Sequence, residues 1–317
     1  MRILVTGGAG FIGSNLVEHL LQQEDVETVR VLDNLATGKL NNIEDFESNP
    51  KFEFAQGDIR NYESCLQACE GITHISHQAA LGSVPRSIND PLTSNEVNVS
   101  GTLNIFTAAK ETGVLRVVYA ASSSTYGDHP GLPKVEDTIG QPLSPYAVTK
   151  YVNELYAKVY GRVYQLPLIG LRYFNVFGPR QDPNGAYAAV IPLFMKAVIN
   201  NEPPTMNGDG THSRDFTYVA NAVEANVKAL RTANPNATGQ VYNIAYGAQT
   251  SLNELFEMIK EVAGSDLAPR YGNERAGDVK HSLADISKAR DLLQYDPQYN
   301  VHDGIKLAFQ YYNRTRK

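Results

Sequence analysis

The stretch ILVTGGAGFIGSNL sets Gly7, Gly10 and Gly13 between a short apolar run and a segment in which Phe11, Ile12, Leu16, Val17, Leu20 and Leu21 recur at helical spacing. The order is strand, glycine-rich turn, helix. Glycine at these points permits a tight turn and close approach of backbone to a pyrophosphate at the positive end of the helix. The same residues also suit a plain strand-to-helix turn. Asp33 narrows the choice. It ends the next apolar run, TVRVLD, twenty residues after Gly13, where a carboxylate accepts hydrogen bonds from both hydroxyls of an adenosine ribose and repels a 2'-phosphate. NAD is therefore expected rather than NADP.

The strand pattern repeats in FEFAQGD, ITHISHQAA and RVVYAAS, with helical stretches between them such as 95–112. Alternation of this kind predicts a doubly wound parallel sheet with helices on both faces, an α/β fold of Rossmann type. From about Gly178 the chain turns polar and rich in turns, with helical patterns at 186–199, 219–231 and 252–262. These predict a smaller mixed α/β domain over 179–317 beside a sheet domain over 1–178. The boundary is expected to be interwoven, since LIGLRYFNV still reads as a sheet strand. Asp58, at the end of the third strand, is placed either to reach the adenine or to cap a helix.

The chain has 317 residues and a formal net charge of -6, with no block of basic residues to attract a nucleic-acid backbone. Cys65 and Cys69 are too few for a disulfide framework and lack partners for a zinc site, so free thiols and no metal are expected. The N-terminus runs directly into structure and no stretch is long and apolar enough for a membrane span. The expected setting is the cytoplasm, with no membrane partner.

In SPYAVTK, Tyr146 stands four residues before Lys150. On a helix the two share a face, and a cation near a phenol favours the phenolate, which can take a proton from an alcohol. Any amphipathic helix can carry this pair, so the rest of the chain must decide.

TGGAGFIG, Asp33, GDIR, HQAA, SSSTYG, YAVTK and RYFNVFGPRQ occur in that order over nearly the whole length. This set resembles the extended short-chain dehydrogenase/reductases. Within them it is most similar to the nucleotide-sugar 4-epimerases, in particular the bacterial enzymes acting on UDP-N-acetylglucosamine in surface-polysaccharide pathways. The resemblance implies a modified Rossmann fold, a tightly held NAD and a C-terminal domain for the nucleotide sugar. It gives Tyr146 the role of catalytic base, Lys150 that of binding the nicotinamide ribose, and Ser122 that of orienting the sugar O4. Phe11, Ile12, Asn34, Ile59, Gln78, Ala79, Ala80 and Tyr173 join the glycines, Asp33 and Asp58 on the cofactor side.

On the substrate side the resemblance implies Gly82, Ser83, Ser123, Ser124, Asn175, Arg214, Arg275, Asp278 and Ser282. Each arginine reads equally well as a surface charge, and Ser282 as a small polar strand residue. The turn from Ser122 to Tyr126 lacks the acid that related dehydratases and decarboxylases carry there, which favours simple epimerisation. Ser282, seven residues past Arg275, takes a position where a bulky tyrosine would restrict the pocket to plain hexoses, so a small residue implies room for an N-acetyl group. The expected activity is interconversion of UDP-GlcNAc and UDP-GalNAc. A UDP-glucose/UDP-galactose or UDP-uronic acid 4-epimerase is the alternative, and a non-catalytic sensor of NAD or nucleotide sugar the alternative of another class. Relatives pair through two long helices, which implies a homodimer through 95–112 and 145–160.

Overall fold

Strand β1 (Arg2–Thr6) passes through the glycine turn into helix α1 (Phe11–Leu21), as the apolar pattern requires. The computed structural model describes residues 1–185, 188–273 and 280–314. Strands β2 (Thr28–Asp33) and β3 (Phe52–Gln56), helix α2 (Tyr62–Cys69) and strand β4 (His74–His77) follow. Two short helices, α3 (Val84–Asn89) and α4 (Pro91–Asn95), lead through a π-turn at Glu96–Ser100 into α5 (Gly101–Glu111). Strand β5 (Arg116–Ser122), helix α6 (Pro145–Tyr164) and strand β6 (Leu168–Tyr173) complete this half.

The second half holds α7 (Val190–Ile199), α8 (Val219–Arg231), the strand Gln240–Ile244, α9 (Leu252–Ala263), α10 (Ser287–Leu293) and α11 (Val301–Arg314). The main sheet has seven strands in the order β3, β2, β1, β4, β5, β6 and then Gln240–Ile244. Every neighbouring pair runs parallel. The strand order reverses between β1 and β4, and a crevice opens there beyond the carboxyl ends of the strands.

Two apolar cores flank the sheet. One joins Leu4, Ile75 and Val117 to α2, α5 and α6 through Cys65, Ile105, Phe106 and Ala157. The other joins Ile3, Val5 and Val118 to Leu16 and Leu20 of α1, and continues without a break into Val223, Phe256, Ile305 and other residues of the second half. Burial of this continuous apolar surface, at roughly 25 cal/mol per Å², is the main force holding the halves together. The late half thus supplies a strand and a flanking helix to the early one.

Three helix limits differ from the sequence pattern, each for a local reason. Helix α7 starts at Val190 instead of 186, because Pro192 lacks an N–H and fits only within the first turn. Helix α6 runs to Tyr164 instead of 160, stopping before Pro167 and ending on Gln165 in the left-handed region. The 95–112 segment begins earlier, at Pro91, and stays helical through a π-bulge at Glu96–Ser100. Among the described residues no helix is long and apolar enough to cross a membrane. Cys65 and Cys69 are free and buried, and burial pushes both thiols up to about 12, so neither is a nucleophile.

Candidate active site

The glycine turn is built by contacts that admit no side chain. Gly7 has φ +69°, and a Cβ on it would lie 2.7 Å from the Ala79 nitrogen; one on Gly13 would lie 2.1 Å from the Gly7 carbonyl. Gly10 precedes α1 in extended conformation and offers no side-chain cap. The first N–H groups of the helix are thus presented to the crevice, ready for an anion. Asp33 is buried at the end of β2, where its carboxylate accepts hydrogen bonds from the N–H of Ala9 (3.0 Å) and Leu35 (2.8 Å). Burial raises this carboxyl and the two N–H donors oppose the rise. This cradle and the acid beside it fit a dinucleotide bound with its pyrophosphate over α1.

Asp58 does not cap α2; Asn61 does, accepting from Ser64 N–H at 3.0 Å. The Asp58 carboxylate instead takes hydrogen bonds from Asn34 (2.9 Å) and from the Arg60 guanidinium (2.6 Å), which hold it down at about 2.

Tyr146 and Lys150 are brought to the crevice by the start of α6. Ser144 caps the helix, accepting from Ala147 N–H at 3.1 Å, and Pro145 takes the first helical position. The Tyr146 N–H is satisfied by Ser87 Oγ of α3 at 3.0 Å. The Lys150 ammonium donates to the Ala120 carbonyl of β5 at 2.8 Å and lies 5.9 Å from the centre of the Tyr146 ring. Burial lowers Lys150 to about 8, opposed by the charge of Glu154. Burial also raises Tyr146, and a hydrogen bond with Ser122 opposes that rise. The protein's own groups therefore do not give the depressed phenol that the Tyr-Lys spacing suggests. Ser122 ends β5 and also accepts from Ser124 N–H (3.2 Å) and Ser124 Oγ (2.9 Å).

These residues share one cleft of about 580 Å³. Every residue expected on the cofactor side lines it: Gly7, Gly10, Phe11, Ile12, Gly13, Asp33, Asn34, Asp58, Ile59, Gln78, Ala79, Ala80, Tyr146, Lys150 and Tyr173. Of the expected sugar-side residues, Gly82, Ser122, Ser123, Tyr146 and Asn175 line it. Ser83, Ser124, Arg214 and Ser282 do not line it. Ser83 caps α3, Arg214 Nη1 donates to the carbonyls of Ser213 (3.0 Å) and Lys280 (3.1 Å), and Ser282 N–H donates to Ser213 O at 3.1 Å. Arg275 and Asp278 lie outside the described residues.

Several supporting residues escaped the sequence reading. Asn226 of α8 donates to Tyr173 OH (2.7 Å) and accepts from Gln78 (3.0 Å) and Ser76 (3.1 Å), so the late half fixes the cleft wall from behind. His77 is buried between Thr6 (2.7 Å) and Thr102 (3.0 Å), its burial lowering it to about 3. Asn98, in the π-turn, holds Leu81 by both main-chain groups at 2.8 and 3.2 Å. No sequence pattern marks these residues; they are ordinary polar side chains whose partners are distant in sequence.

A larger groove of about 880 Å³ lies between α1, α8 and residues 291–299. In it Lys228 pairs with Glu224 (2.8 Å) and Arg231 with Asp25 (2.5 Å), and none of the residues above lines it.

The NAD dependent epimerase/dehydratase family pattern matches residues 3–245. The UDP-glucose 4-epimerase of Mycolicibacterium smegmatis is 38% identical over 314 residues, 98% of each chain. Among solved structures, the UDP-N-acetylglucosamine 4-epimerase of Methanobrevibacter ruminantium M1, in complex with UDP-N-acetylmuramic acid, superposes with a TM-score of 0.92 at 38% identity, covering 98% of this chain and 97% of that one. The UDP-glucose 4-epimerase of Thermotoga maritima with UDP-glucose superposes with a TM-score of 0.93 at 35% identity over 100% of both chains.

Proposed function

The chain belongs to the NAD dependent epimerase/dehydratase family as a UDP-sugar 4-epimerase, and from that premise we propose that it interconverts UDP-GlcNAc and UDP-GalNAc. NAD, held by the glycine turn and Asp33, would supply a reversible hydride acceptor for the sugar C4. The rest is the work of the chain's own residues. Tyr146 accepts the O4 proton and later gives it back, Ser122 orients O4, and Lys150 binds the nicotinamide ribose and, together with the positive ring, would steady the phenolate. The glycine turn and Asp33 hold the cofactor, with Gln78 and Tyr173 fixed against it by Asn226.

The turn from Ser122 to Tyr126 holds no carboxylate to eliminate water, which supports epimerisation over dehydration. The preference for an N-acetylated sugar rests on Gly82: it is exposed on the cleft, and a Cβ built there meets nothing within 4 Å. Ser282, outside the cleft lining, is the second small residue that the resemblance assigns to the sugar. The deciding experiment is an assay that separates UDP-GlcNAc from UDP-GalNAc, run beside UDP-glucose and UDP-glucuronate. The highest kcat/KM with UDP-GlcNAc is expected. A higher value with either other sugar would replace the substrate, and no turnover with any of them would leave a binding protein.

Val148, Leu155, Val159 and Val163 form an exposed apolar stripe on α6, which supports pairing of two chains through α5 and α6. Sedimentation at micromolar concentration should give a dimer, and Val159→Glu a monomer.

A further inference from the structure

Beneath the crevice lies an ion pair that nothing in the reaction as outlined uses. Glu154 follows Lys150 by four residues on α6, so the two side chains share a face of the helix. Both are buried, at 2% and 4% exposure. The Glu154 carboxylate is gripped at both oxygens by Arg172 of β6, Nε to Oε1 at 2.8 Å and Nη2 to Oε2 at 2.7 Å. Arg172 is itself fixed, by a hydrogen bond to the Glu136 carbonyl (3.0 Å) and by lying 4.8 Å over the Tyr126 ring. Arg172 pairs in register with Ala121, the neighbour of the Ala120 whose carbonyl receives the Lys150 ammonium. Carboxylate and ammonium are therefore pinned to the same pair of strands.

A buried ion pair is a weak source of stability, because desolvation offsets most of its attraction and well-packed apolar residues do as well or better. The position of this one gives it another use. We infer that Glu154 is a positioning residue of the acid–base site: clamped by Arg172, it supplies the fixed negative charge that keeps the Lys150 ammonium charged and aimed in a desolvated crevice. The inference takes the role of Lys150 from the reading above but is tested without substrate.

The groups that face Lys150 are few. From its own helix come Tyr146, whose ring centre lies 5.9 Å away, and Glu154; from β4 comes the buried neutral His77, and from β5 the Ala120 carbonyl. Glu154 is the one negative charge in this set, and its charge opposes the lowering of Lys150 by burial. Once it is gone, Lys150 should lose its proton at lower pH.

The test is a direct titration of Lys150 in the protein as purified, labelled with carbon-13 at the lysine ε-carbon, its signal identified by loss in Lys150→Arg. In Glu154→Gln the midpoint should fall by about one pH unit or more, the scale of losing one nearby opposite charge. The basic limb of kcat should move down with it. Glu154→Asp, which keeps the charge, should restore the midpoint. Because Glu154→Gln leaves Arg172 buried without its full partner, Glu154→Gln/Arg172→Met provides a second variant without that stranded charge; it removes a positive charge along with the negative one, so its midpoint should fall by less than in Glu154→Gln. An unchanged Lys150 midpoint in folded Glu154→Gln would overturn the inference, as would an equal fall in Glu154→Asp or a loss of kcat equal at every pH.

Discussion

The two ends of the cleft are built in different ways. At the cofactor end, Gly7, Gly10, Gly13 and Asp33 sit where buried parallel strands give way to turns, and each is fixed by main-chain geometry. At the other end, Gly82, Ser122 and Asn175 reach the cleft from three separate stretches, while Arg214 and Ser282, which the resemblance assigns to the sugar, stand outside it. Arg214 belongs to a two-residue strand and Ser282 to an isolated contact with Ser213. There a buried carboxylate does the organising: Asp215 accepts from the N–H groups of Tyr246 (3.1 Å), Gly247 (3.2 Å) and Ala284 (3.2 Å). The difference teaches that one end is built on rigid secondary structure, while the other is built from short stretches and loops, which tolerate exchange more readily.

The sharpest separation of the ends is expected from Tyr146→Phe. Removing the proton acceptor should lower kcat by at least ~100-fold while NAD, held by the glycine turn and Asp33, still appears in the heat-released supernatant. Turnover near that of the parent protein, or NADP in place of NAD, would break the division of labour at the cofactor end.

Ser282→Tyr addresses the other end. An aromatic ring there should lower kcat/KM for UDP-GlcNAc by at least ~100-fold and that for UDP-galactose by less than ~10-fold, since only the first carries a bulky C2 group. Equal losses on both sugars would make Ser282 a folding residue. With no loss on either, the substrate preference would rest on Gly82 alone.

Asn226 bridges the halves, so Asn226→Leu should blur the contrast. Leaving Tyr173 and Gln78 short of a partner should cost about 1–3 kcal/mol in denaturant unfolding and loosen NAD. A loss of stability with NAD retention unaltered would confine Asn226 to the core.

Acid should affect the two ends in opposite senses. His77 is lowered to about 3 in the folded chain, so its contribution is present above about 6.5 and is lost as pH falls through that value toward 3. At pH 5 this amounts to about 2 kcal/mol, and His77→Gln should remove the dependence. Asp215 is raised by burial from 3.8 to about 6, so its contribution is full below its unfolded value and is lost as pH rises through 6. From pH 7 to 5 it returns about 1 kcal/mol. Hydrogen-exchange protection over that range, after correction for the intrinsic slowing of amide exchange in acid, should therefore fall at Ile75 and His77 and rise at Gly247 and Ala284. The same trend at both places would show that one cooperative unit masks the two ends.

Much of this arrangement was written in the chain order. The strand, glycine turn and helix at 1–21, the acid at 33 and the YxxxK pair are local patterns, because the backbone conformations and helical spacing that bring them to a cleft operate within a few residues. The expected α/β fold and parallel sheet follow from the alternation of apolar periods for the same reason. Tertiary structure alone decided the rest. Only the folded chain puts Asn226 behind Tyr173, clamps Glu154 with Arg172, turns Arg214 toward main-chain carbonyls and frees Asp58 from a capping role in favour of Arg60. These are pairings of polar groups, up to 150 residues apart between Ser76 and Asn226, and what drives them is the cost of burying a polar group unpaired. That cost specifies that a partner must exist without saying where in the sequence it lies, so it takes effect only once the apolar cores have brought the segments together.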